Sequence, residues 1–146
     1  MNLADCFASC FDLVDALLHG DAAAYPDPRG AAAKCVDSGV VKASAEFTPL
    51  VLLRARRLMS VWIDNRLGSA DWPGRAAWRD DPLLPGGGEG CETYLLELAG
   101  HLDSGSDEDG QLAFLMLECL GKGFALDEAC CNGLLGLLAE RFKPEA

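Results

Sequence analysis

The chain has 146 residues, half of them apolar, and carries 23 acids against 12 bases for a formal net charge of −11. This composition suits a folded chain of one domain, or two small subdomains sharing an interface, that needs no disulfide or metal to bury a core. The acid excess argues against nucleic-acid binding and adhesion to anionic lipid, both of which need basic surfaces, and suits a basic protein partner.

MNLADCFASCFDLVDALL has no positive leader and carries Asp5, Asp12 and Asp15, so it is not a signal peptide. Leu3, Phe7, Cys10, Val14 and Leu17 recur at helical spacing, which predicts a helix over about 2–19 ending at His19-Gly20. After the breaker YPDPRG, a weaker helix is expected over about 30–46, interrupted by Asp37-Ser38-Gly39. Thr48-Pro49 is a strong start for a third helix. Its apolar side is Val51, Ala55, Leu58 and Trp62, and its end is expected near Leu67-Gly68.

Residues 69–90 read as an irregular connection with a helical turn around 75–79 and the glycine-rich tip PGGGEG. A fourth helix is expected over about 89–102, burying Tyr94, Leu95, Leu98 and Leu102. SGSDEDG is a linker in which Ser106 and Asp109 resemble a capping pair. QLAFLMLECLGKGF is apolar nearly all round and belongs at the centre of a bundle. A sixth helix, about 127–142, would bury Cys130, Leu134, Leu137 and Leu138. Strand signals are nearly absent, so the expected fold is all-α, with three helices on each side of the connection (subdomains 1–68 and 89–146). No stretch is long and apolar enough to span a bilayer.

The seven cysteines lie mostly inside apolar helical patterns and read as reduced, buried thiols in a cytosolic setting. Cys6 and Cys10 have no second pair to complete a metal site, and Cys130-Cys131 reads as buried filler; no metal or cofactor is expected. The acids of Asp80-Asp81 and Asp107-Glu108-Asp109 fall in expected exposed loops, without the buried neighbours that tune a general acid. PGGGEG has neither the Lys-Ser/Thr nor the strand of a phosphate loop. An enzyme is therefore not expected. It would need a deep pocket with perturbed titratable groups near the tryptophans.

Trp62, Trp72 and Trp78 crowd into 17 residues beside Asp64-Asn65, Pro73 and Arg75. Aromatics at such a junction usually form a satellite core that pins the loop, and a partner groove can lie beside it. Asp64 opposes the dipole at its helix end, so it calls for a partner: Arg66, Arg75 or backbone N–H groups of the next turn.

The run from Ala55 through Ile63-Asp64, Trp72-Pro73, Trp78, Pro82-Leu83, Gly90, Tyr94 and Glu118-Cys119-Leu120-Gly121-Lys122-Gly123-Phe124 resembles the DotU/TssL (IcmH-like) family of type VI secretion systems. The first helix is similar as well. The resemblance implies an all-α cytoplasmic domain of two three-helix bundles. It implies a non-enzymatic scaffold joining the inner-membrane complex to the baseplate, at the cytoplasmic face of the bacterial inner membrane. Implied partners are the IcmF/TssM-type membrane protein and TssK- and TssE-type baseplate proteins, and pairing with a second copy is compatible. Docking is expected at Asp64, Asn65, Trp72 and Arg75, with Trp62, Trp78 and Pro73 mainly structural. Two features depart from the family pattern: Asn65 replaces its second acid, and Ala125-Leu126-Asp127-Glu128 replaces a basic-aromatic continuation. The family's closing transmembrane helix is also not found in this sequence. The alternative is a soluble helical adaptor or immunity-type protein without an anchor.

Overall fold

The computed structural model describes residues 2–20, 22–84, 91–126 and 128–141, apart from the side chains of residues 22, 91, 138 and 141. Among them the chain is all-α. The helices are α1 (Leu3–Cys6), α2 (Ala8–Leu18), α3 (Pro28–Ala43), α4 (Pro49–Ser69), α5 (Arg75–Asp80), α6 (Cys91–Ser104), α7 (Asp107–Lys122) and α8 (Glu128–Arg141), with a 3-10 turn at Ala22–Ala24. PGGGEG lies outside the described residues, as does the chain beyond Arg141.

The first helix differs from expectation: it breaks at Phe7, whose backbone leaves the helical region at φ −105° and ψ 14°. The reason is tertiary. The fully buried Phe7 ring packs onto α3 at Gly39, where a Cβ would stand 2.3 Å from the ring. The expected stripe survives the break, with Leu3, Phe7, Cys10, Val14 and Leu17 all buried.

That contact also corrects the second helix. Asp27 caps it by accepting from the Gly30 N–H at 3.1 Å, Pro28 opens it, and it continues through Asp37-Ser38-Gly39 to Ala43. The glycine read as an interruption is the docking notch for Phe7.

α4 is the longest element and starts as expected, with the Thr48 hydroxyl accepting from the Val51 N–H at 3.4 Å. Leu58, Met59, Trp62, Ile63 and Leu67 are almost wholly buried along it. α7 packs against α1, α4 and α6, the central place its apolar sequence called for.

One continuous apolar cluster extends from Leu3 to Cys119, so the two halves of the chain share a core. α8 packs on α6 and adds Cys130 with the partly buried Leu134 and Leu137; Leu138 lies outside the described side chains. Among the described residues no helix is long and apolar enough to cross a membrane.

Cys6, Cys10 and Cys119 are buried and not disulfide-bonded. Burial pushes Cys10 up to about 12 and raises Cys119 as well, so both are inert fillers. The reading of Cys130-Cys131 as buried filler needs correction. Cys130 is buried but disulfide-bonded, its partner outside the described side chains, while Cys131 is a free, exposed thiol.

Candidate functional site

The tryptophan junction is built outward from the last turns of α4. Asp64 faces the negative end of that helix and is held there by three donors. Its Oδ1 accepts from the Trp78 indole N–H at 2.9 Å and from the Leu83 N–H at 2.8 Å; its Oδ2 accepts from the Leu84 N–H at 3.0 Å. Neither Arg66 nor Arg75 is its partner. The backbone donors come from the segment after α5 rather than from the next turn of chain. One carboxylate thus fixes both the short helix and the strand of chain that follows it.

Each tryptophan has its polar edge satisfied. Trp72, 7% exposed, donates to the Leu67 carbonyl at 2.6 Å and packs against Trp78 with ring centres 6.4 Å apart. Trp62 is buried, meets Phe11 edge to face at 5.0 Å and donates to the Gly123 carbonyl at 2.7 Å. Gly123 has φ +123°, a conformation that favours glycine, and a Cβ there would lie 3.0 Å from the Arg66 guanidinium carbon. Phe124 then stacks on Tyr94 at 4.7 Å.

Asn65 closes the same junction from its other side. Its side-chain oxygen accepts from the Ala125 N–H at 2.7 Å, and its amide donates to the Ala125 carbonyl at 3.3 Å. An amide supplies a donor and an acceptor together where an ionised acid supplies acceptors alone, which accounts physically for Asn rather than an acid at this position.

The residues expected to dock a partner therefore divide. Asp64, Asn65 and Trp72 use their polar atoms on internal bonds. The half-exposed Arg75 side chain makes no hydrogen bond or ion pair among the described residues, and Pro73 is exposed in the turn before α5. Trp62 and Trp78 donate their indole N–H groups to the Gly123 carbonyl and the Asp64 carboxylate.

A polar cluster outside that junction was not expected. His101 on α6, 8% exposed, places Nδ1 2.6 Å from Asp109 Oδ1 and Nε2 3.4 Å from Glu97 Oε2. Glu97 also pairs with Arg57 of α4, and Asp109 accepts from the hydroxyls of Ser104 and Ser106. The hydrogen bonds from Ser104, Ser106 and His101 hold the Asp109 carboxyl down at about 2.

The expectation of an exposed acidic loop is corrected here. Asp107-Glu108-Asp109 form the first turn of α7, with Ser106 as N-cap accepting from the Asp109 N–H at 3.1 Å, and Asp109 has a buried neighbour in His101. Serine, histidine and aspartate meet, yet both hydroxyls bond the carboxylate rather than the imidazole. The set ties a helix cap to α4 and does not place a nucleophile against a base. The Ser106/Asp109 spacing and the Glu97/His101 pair four apart on α6 were legible signals. The Arg57 contact, 40 residues away, carried none.

Of the open clefts among the described residues, three flank these elements, and none of the three is lined by Trp62, Asp64, Trp72 or Trp78. One of about 240 Å³ lies between α1–α2 and α7, and another of about 410 Å³ lies between α3 and α4 beside Leu83 and Leu84. Comparison with family models, curated proteins and solved structures finds no match.

Proposed function

We propose that this chain is the cytoplasmic domain of a DotU/TssL-like subunit of a type VI secretion membrane complex. In this reading it is a non-enzymatic scaffold that docks other proteins. One observation carries it: the scattered segments behind the resemblance assemble into one bonded unit. Asp64 holds Trp78 and the Leu83-Leu84 backbone, Trp62 holds Gly123, and Tyr94 stacks on Phe124. Segments far apart in sequence thus answer to one another in space, as a shared architectural motif requires.

Docking then falls beside the brace rather than on it, because the indole N–H groups and the Asp64 carboxylate are already bonded internally. Arg75 and the cleft between α1–α2 and α7 are the accessible parts. The test is co-purification of the folded chain with the IcmF/TssM-, TssK- and TssE-type proteins encoded by the same bacterium. Retention of at least one supports the reading; retention of none overturns it.

A further inference from the structure

The cleft between α1–α2 and α7 has a composition that a core contact does not require. Two phenylalanines line it, Phe11 from α2 and Phe114 from α7, and Phe114 is left 42% exposed. Asp5, Asp12 and Glu118 stand around these rings, and none of the three is in an ion pair among the described residues. The arginines beside the α3–α4 cleft contrast with them, since Arg29, Arg56 and Arg57 are paired with Asp81, Asp37 and Glu97.

The chain already places one cation here. Lys122 sets its ammonium over the Phe11 ring, 5.9 Å from the centroid. The ring is in turn fixed from behind by Trp62, whose indole is anchored on Gly123. Among the described residues the Phe114 face has no such cation, and the carboxylates outnumber Lys122 by three to one. At about 240 Å³ the space suits one long side chain better than a whole metabolite, which usually needs roughly 300 Å³ or more.

We propose that this cleft receives an arginine side chain from a basic segment of a protein partner. Its guanidinium stacks on Phe114, and the unpaired carboxylates accept its N–H groups. Arginine fits better than lysine because its planar cation stacks on aromatic faces and offers several fixed donors to carboxylates. The inference rests on the docking reading above and supplies the chemistry of the partner.

The test titrates the whole chain with a blocked Ala-Arg-Ala tripeptide, followed by amide chemical shifts. A citrulline tripeptide, equal in shape but uncharged, is the control. Saturable shifts centred on Phe11, Phe114 and Glu118 are expected, absent with citrulline. Phe114→Ala and Glu118→Gln should each weaken binding by about tenfold. Both side chains are partly exposed, and unchanged thermal melts establish that the variants fold.

No saturable shift, equal binding of the citrulline peptide, or parent-like affinity in both variants overturns the proposal. Loss of peptide binding with co-purification intact removes this inference alone. Peptide binding without co-purification removes the secretion reading and leaves the arginine site.

Discussion

Asp64 occupies a place where the helix field works against it, so its value lies in what it accepts. Three N–H groups converge on the carboxylate, and hydrogen bonds to a charged group are individually among the stronger ones in a protein. Asp64→Ala should cost about 3 kcal/mol, because it strands the Trp78 indole and two backbone donors. Asp107→Ala, in the exposed first turn of α7, should cost under about 1 kcal/mol. Urea unfolding of the two variants checks the ranking, and equal losses would show that the carboxylate is dispensable to the junction. Asn65 allows a sharper test. Asn65→Asp keeps the acceptor for the Ala125 N–H but sets a carboxylate oxygen against the Ala125 carbonyl, and should lose about 1 kcal/mol or more. Faster hydrogen exchange at Ala125 would localise that loss. The need for a partner at Asp64 was readable from its place on the helix. Which groups would answer was not, since Leu83 and Leu84 arrive only after α5 has turned the chain back.

At the scale of elements, the apolar spacing of α4, α6 and α7 places their buried faces well, because a helix of that length leaves few choices for its apolar stripe. The break at Phe7 lay beyond reach, since it depends on a notch in α3 more than 30 residues further on. The first turn of α7 was missed for a related reason: three consecutive acids look like a solvated loop until Ser106 caps them and His101 closes over them. Two glycines separate propensity from packing. Gly100, inside α6, has open space where a Cβ would stand, so Gly100→Ala should stabilise by up to about 1 kcal/mol through helix propensity. Gly39→Ala gains the same propensity but drives a methyl into the Phe7 ring, and should destabilise by about 1–3 kcal/mol overall. Thermal melts of the pair should shift in opposite directions. A common upward shift would mean that Phe7 can move aside.

At the scale of the whole molecule, the all-α class follows from the sequence, whereas the sharing of one core by both halves depends on α7 reaching α1 and α4 together. The polar cluster of Arg57, Glu97, His101 and Asp109 joins α4, α6 and α7 around that core and gives stability an acid dependence. Asp109 titrates near 2 in the folded chain, below its ordinary 3.8. The unfolded chain therefore takes up the proton first as pH falls, and stability falls with it. The Asp109 contribution is fully present above about pH 4 and is lost as pH falls through 2. Asp109→Asn should be less stable than the parent at neutral pH, with the gap narrowing across that window in urea unfolding at a series of pH values. A gap that stays constant would remove Asp109 from the acid response. The grip of Trp62 on Gly123 and of Asn65 on Ala125 also has a mechanical meaning. Tension applied along the backbone from the α8 side meets three hydrogen bonds to α4, two at Ala125 and one at Gly123, the C-cap of α7. The longest helix is thus a strut for such a load, and the hydrogen-bonded crossover is where a pull along the backbone passes into α4.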